Sequence, residues 1–237
     1  MFKQQSDQLL VKMPGDINGI DFMIKDLDNC TVVLLDHTAQ VTVDRCKNTR
    51  FFVGPIKASI FFRDCSDCDI TVCCSQFRCR DLKNSRVNVF TPNDPIVESS
   101  SSLVFGPFNM KYPLLKHHAD KADLLGSFTD DDGVVQQKVN KWKRIFDFTK
   151  NDDGELNFSL LKPAEFKVVD AKDLIGDRQF EETGEDQDFI FELPVDFGGS
   201  LADDGAEAAK VGMMAFDIKT DAAEAQKLFE LSYQTPS

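Results

Sequence analysis

The 237-residue chain carries 27 Lys+Arg against 40 Asp+Glu, a formal net charge of -13, with 42% hydrophobic and 28% charged residues. That balance suits a globular chain able to bury a sizeable core, and it argues against generic binding to nucleic acid or an anionic membrane, since so acidic a chain gains little from phosphates. The charge is uneven: residues 162–237 hold seven basic and 18 acidic residues, net -11, which leaves -2 on the first 161.

Met1-Phe2-Lys3-Gln4-Gln5 opens neither a secretory signal nor a transit peptide, and no apolar run is long enough to cross a bilayer. Phe2 stands where myristoylation needs glycine. No membrane anchor is expected.

From residue 22 onward a repeat sets the pattern. The small polar pairs Asn29-Cys30, Asn48-Thr49, Asp67-Cys68, Asn84-Ser85 and Ser101-Ser102 recur at steps of 19, 19, 17 and 17 residues. Two residues after each pair stand Val32, Phe51, Ile70, Val87 and Val104, and five before it stand Ile24, Val43, Phe62, Cys79 and Ile96. Apolar and polar residues alternate within each unit, the period-2 signature of strands with one buried face. A unit this short cannot bury its own face, whereas stacked units can, as in a parallel β-helix. Five coils are predicted within a domain spanning residues 1–162.

The cysteines Cys30, Cys46, Cys65, Cys68, Cys73, Cys74 and Cys79 crowd into this repeat. Their odd number, without a signal peptide, favours reduced thiols in the cytosol. Cys65-x-x-Cys68 invites zinc, but most of these cysteines fall on columns shared with Leu, Val and Ile, where a free cysteine is a small apolar filler. No metal site is assigned. Asn151, Asp153 and Gly154 imitate the start of a calcium loop, yet Leu160 occupies the position of the bidentate glutamate. His117-His118 reads as a surface pair, and Asp130-Asp131-Asp132-Gly133 as a loop followed by a helical segment through Trp142.

Residues 163–188, rich in Glu and Asp with few aliphatics, read as an acidic linker. Residues 189–237 read as a small βαβα-like or helical tail: a strand at Phe189–Leu193, a helix opened by Ser200 and Asp203, a strand at Met213–Ile218, and a helix over Ala222–Leu231 behind an Asp221-x-x-Glu224 capping box. The tail faintly resembles the start of a ferredoxin-like, nucleoside-diphosphate-kinase-like domain.

Cys74-Ser75-Gln76-Phe77-Arg78-Cys79-Arg80-Asp81, Pro95-Ile96-Val97-Glu98-Ser99-Ser100-Ser101, Phe105-Gly106-Pro107-Phe108 and Asp153-Gly154-Glu155-Leu156-Asn157-Phe158-Ser159-Leu160-Leu161 together resemble the C-CAP/cofactor C-like domain family, over roughly residues 17 to 162. The resemblance implies a right-handed parallel β-helix and stimulation of GTP hydrolysis by an Arf-like GTPase or tubulin. It implies that Arg78 is an arginine finger entering the partner's nucleotide site, with Gln76 as helper and Glu98 and Phe148 as partner contacts; the repeat, which turns Phe77 and Cys79 inward, projects Arg78 and Arg80 from the opposite face and makes Arg80 a further partner contact. A planar, always cationic guanidinium suits charge spread over the transferring phosphoryl oxygens. GTP and Mg would belong to the partner, and no cofactor is assigned to this chain, which has no Gly-rich phosphate loop. The family's glutamine three residues before the finger is Ser75 here, too short for the same contact. An alternative is therefore a non-catalytic scaffold subunit of a ciliary axoneme or other cytoskeletal assembly, its acidic tail contacting neighbouring subunits. Either reading implies a cytoplasmic protein of a cilium, flagellum or associated cytoskeleton.

Overall fold

The computed structural model describes residues 1–130, 133–149 and 156–180 together with Phe189, Phe191 and Leu193. In chain order the strands are β1 (Phe2–Ser6), β2 (Leu9–Lys12), β3 (Phe22–Asp28), β4 (Thr31–Leu34), β5 (Val41–Asp44), β6 (Arg50–Ser66), β7 (Asp69–Phe90), β8 (Ile96–Glu98), β9 (Ser101–Pro107) and β10 (Met110–Lys111). Helix α1 (Leu115–Lys121) follows, then β11 (Ser127–Thr129), β12 (Val135–Gln137), β13 (Phe146–Asp147), β14 (Phe158–Leu160) and β15 (Val169–Asp170). Every pairing except the β11–β12 hairpin is parallel. The chain winds into a β-solenoid of about six turns. The repeat predicts five; β1 and β2 extend the stack at one end, pairing with β3 and β4, while β13 and β14 extend it at the other, pairing with β8 and β9.

Two corners of each coil are set by residues in the left-handed region. One series is Asp26, Arg45, Asp64, Asp81 and Ser99; the other is Asn29, Asn48, Asp67, Asn84 and Ser102. Asn and Asp tolerate that conformation better than other non-glycine residues, which explains the recurring polar pair. It also corrects the fifth coil. Ser102, not Ser101, occupies the corner, so Leu103 pairs with Ser85, Phe105 with Val87 and Val97 with Cys79. A one-residue slip moves every side chain to the opposite face, so Phe105 and Val97 take the inward places predicted for Val104 and Ile96.

Inside, equivalent residues stack. Ile24, Val43, Phe62, Cys79 and Val97 form one buried column, and Leu27, Cys46, Cys65 and Leu82 another. Phe51, Phe62, Phe77 and Phe105 make a ladder with centroid spacings of 5.4, 5.9 and 5.9 Å. A second core lies outside the solenoid. Val33, Leu35, Phe52, Cys73 and Phe90, on the outer side of the wall built from β4, β6 and β7, pack beneath Tyr112, Leu115 and Ala119.

Three other expectations meet the structure here. After Gly133 the chain forms strand β12 and no helix through Trp142: β11 and β12 pair as a hairpin in which Gly133, at positive φ, donates its N–H to the Asp130 carbonyl and Thr129 pairs with β-branched Val135. His118 is buried, while His117 is exposed, so the two are not a surface pair. Within the segment read as an acidic linker, β15 pairs with β10, and Ala171 and Ile175 are buried in the second core. Residues 181–188, the calcium-like residues Asn151, Asp153 and Gly154, and most of the 189–237 tail lie outside the described residues. Phe191 is described, and stacks on Phe90 at 4.2 Å. Among the described residues no helix is long and apolar enough to cross a membrane.

Candidate functional site

Phe77 and Cys79 of β7 are buried inside the solenoid, which turns Gln76, Arg78 and Arg80 outward on the alternating strand. Register across β6, β7, β8 and β13 places Phe61, Arg78, Ile96 and Phe146 in one outer column. Asp44, Arg63, Arg80 and Glu98 form the next. Phe148 donates its backbone N–H to the Val97 carbonyl at 2.9 Å, and its ring meets that of Phe146 edge-on at 4.6 Å. The five residues singled out in the sequence thus share one outer wall. Phe146 and Phe148 are exposed there, 39% and 48%, adding aromatic surface at the end of the face.

The arginines on this wall and at its corner differ in how they are neutralised. Arg63 binds Asp44 through two bonds of 2.6 and 2.8 Å, and Arg45 binds Asp26 at 2.7 Å. These contacts raise both arginine pKa values, the hydrogen bond to the carboxylate being the main cause. Arg80 lies 3.7 Å from Asp81. Arg78 has no acidic partner among the described residues. Its guanidinium carbon sits 5.3 Å from the centroid of Phe61, and its buried Nε has no hydrogen-bond partner. A cation without a carboxylate, in the middle of an exposed wall, keeps its charge available to an anionic group arriving from outside.

Gln76 is committed otherwise. Its Nε2 donates to the Asp94 carbonyl at 2.8 Å, tying β7 to the turn of the following coil. Ser75 is engaged through its carbonyl, which accepts from Thr91 Oγ1 at 2.8 Å and Asn93 Nδ2 at 2.9 Å. The carboxylate of Glu98 has no ion-pair or hydrogen-bond partner among the described residues, leaving it free for a cationic contact.

For metals, the described residues bring together one group of three possible ligands: Asp36, His37 and His118, with ligand atoms within 4.8 Å of one another. Its carboxylate is already filled. Asp36 Oδ2 accepts backbone N–H groups from Gly15, Ile17 and Asn18 at 3.0, 2.9 and 2.7 Å, while Oδ1 accepts from the His37 N–H at 2.8 Å and contacts His37 Nδ1 at 3.1 Å. Burial raises the Asp36 pKa, but these backbone donors and nearby His118 outweigh it and hold the carboxyl below its usual range. His118 hydrogen-bonds Tyr112 Oη at 2.9 Å through Nδ1 and faces Asp36 at 3.6 Å through Nε2. Burial lowers its pKa to about 4 against the pull of Asp36. The arrangement clamps α1 to the solenoid with a neutral imidazole. The cysteines are buried and form no disulfide, and burial pushes the Cys68 and Cys79 thiols up to about 12.

Two participants escape the sequence reading. Phe61 stands one coil before Arg78, a position visible from the repeat but unremarkable among 21 phenylalanines. Asp36 lies 82 residues from His118, and only the docking of α1 joins them.

The parallel β-solenoid is the architecture expected of cofactor C-like β-helix proteins. Residues 19–148 match the tubulin binding cofactor C family, and the chain belongs to it. It is similar to Protein XRP2 of Danio rerio, 42% identical over 159 residues that cover 67% of this chain and 39% of that protein. Human Protein XRP2 is 40% identical over 161 residues, 68% of this chain and 43% of that protein. Human tubulin-specific chaperone C is 26% identical over 169 residues, 70% of this chain and 46% of that protein. The chain thus spans less than half the length of these relatives.

Proposed function

We propose that the bare wall docks an Arf-like small GTPase or tubulin, and that Arg78 enters the partner's nucleotide site as an arginine finger. The observation that carries the reading is the state of Arg78: central on the wall, with its guanidinium over Phe61 and without an acidic partner, while Arg63 in the preceding coil is paired. Family membership and the tubulin named in the family description and in the chaperone relatives support it. Glu98 and Phe148 are the partner contacts in this scheme, and Arg80 adds positive charge beside the finger. Gln76, the helper in this scheme, ties β7 to the turn of the following coil and so supports Arg78. GTP and Mg belong to the partner. The setting is a cilium, a flagellum or the associated cytoskeleton.

The test is single-turnover GTP hydrolysis by an Arf-like GTPase, and separately by tubulin, with the wild-type protein and Arg78→Ala. Loss of stimulation by about 10³ or more in the variant, with partner binding retained, is the expected result for a finger. Equal rates with both proteins would remove Arg78 from the chemistry. One observation favours a second reading: the position of the family glutamine is Ser75, and the carboxamide of Gln76 is spent on the Asp94 carbonyl. In that reading the wall docks a cytoskeletal partner without catalysis, and binding with no rate change is the outcome that selects it.

A further inference from the structure

We propose that Phe61 is the positioning residue of the Arg78 finger, an aromatic platform that fixes the guanidinium before any partner arrives. The inference rests on the reading that Arg78 acts in trans, and it adds the device that makes the finger ready. Phe61 and Arg78 are direct register partners on adjacent coils, so their Cα atoms face one another across a single strand spacing. The ring carries two guanidinium groups, Arg78 at 5.3 Å and Arg63 at 5.4 Å from its centroid. Arg63 is held by Asp44 and serves as a fixed neighbour. On the opposite side of Arg78 stands Ile96, its register partner in the next coil.

The consequence lies in which nitrogens remain usable. The Nε of Arg78 is buried and unpartnered, so it loses water without gaining an acceptor. A side chain free to swing outward would recover that water. Attraction between the cation and the ring face opposes the swing, strengthened where the pair is partly desolvated. The guanidinium is thereby left with only its terminal nitrogens to offer. Ordering a long arginine normally costs free energy at the moment of binding; here the ordering is complete in the unbound protein.

The platform is tested first without any GTPase. Backbone-independent order of Arg78 is read from ¹⁵Nε relaxation of the isolated protein, for wild type, Phe61→Leu and Phe61→Tyr. Leucine keeps an apolar strand residue and removes the ring face; tyrosine keeps the face. Arg78 Nε is expected to be ordered in the wild type and in Phe61→Tyr, and mobile in Phe61→Leu, with unchanged melting of the solenoid. Equal mobility in all three overturns the platform, whatever the hydrolysis assay shows. The second measurement is stimulated GTP hydrolysis. Phe61→Leu is expected to lower the maximal stimulated rate about three- to tenfold with the half-saturating concentration nearly unchanged, and Phe61→Tyr to restore it. A loss confined to half-saturation would make Phe61 a docking contact and refute positioning. An ordered Arg78 that yields no stimulation even in the wild type would uphold the platform and refute the GTPase reading.

Discussion

On the wall formed by β4, the first part of β6 and the two ends of β7, the outward side chains Val33, Phe52 and Phe90 are buried beneath α1 and its flanking segments. On the wall formed by β5, the second part of β6 and the middle of β7, the outward residues Thr42, Phe61, Arg63, Gln76 and Arg78 are left uncovered by any such layer. The rungs are the same polypeptide turns, and their inward columns are equally apolar. What separates the walls is the residue at every second position. Ile70-Thr71-Val72-Cys73-Cys74 runs almost without interruption, as in a strand buried on both faces, whereas Phe77-Arg78-Cys79-Arg80 alternates strictly. One face of the solenoid is thus buried under a second layer, and another is left uncovered.

The sharpest way to break this comparison is to truncate an outward residue on the covered wall. Phe52→Ala is expected to cost about 3–5 kcal/mol in urea denaturation, as for a fully buried phenylalanine, despite the ring lying outside the solenoid. A loss below about 1 kcal/mol would mean that the second core contributes little.

The clamp holding α1 gives the next largest effect, and its sign follows from the His118 pKa of about 4. Between the unfolded value near 6.5 and about 4, the unfolded chain takes up a proton that the folded chain refuses. Stability from this group is therefore complete above about pH 6.5, falls on acidification to about pH 4, and falls no further below it. The expected loss is on the order of 3 kcal/mol, and it should be absent from His118→Gln, so that the stability difference between the two proteins changes across this pH range. A parallel pair of pH curves would contradict the buried neutral imidazole.

The smallest effect belongs to the open wall. Arg63→Ala removes a bidentate but partly exposed pair with Asp44, and a change of about 0.5–1 kcal/mol is expected by the same denaturation measurement. A loss as large as that of Phe52→Ala would erase the distinction between the two walls.

Most of the solenoid is legible because its columns repeat at nearly fixed spacing and nearly all of its corners carry Asn, Asp or Ser. The fifth coil is misread for a physical reason: Ser99-Ser100-Ser101-Ser102 supplies several equivalent polar pairs, and only the backbone conformation at Ser102 selects among them. The outer layer is harder. Tyr112, Leu115 and His118 acquire meaning from residues some 80 positions upstream, with no local period to announce the contact. At the site, resemblance brings Arg78, Glu98 and Phe148 to attention and the repeat places Arg78 outward. Neither tells that Gln76 is tied to Asp94, or that Phe61 lies under the guanidinium. Those are facts of side-chain conformation.

The in-register stacking of coils has a consequence for how such a wall diversifies. Outer positions recur at every turn, so Thr42, Phe61, Arg78 and Ile96 are interchangeable stations on one straight track. Moving the arginine from one station to its neighbour shifts it by about 4.8 Å along the solenoid axis, with little change in the direction in which it points. Exchanging two residues in the sequence then acts as a step on a ruler. The reach of the charge across a docked partner can be reset in fixed increments while the scaffold beneath stays the same.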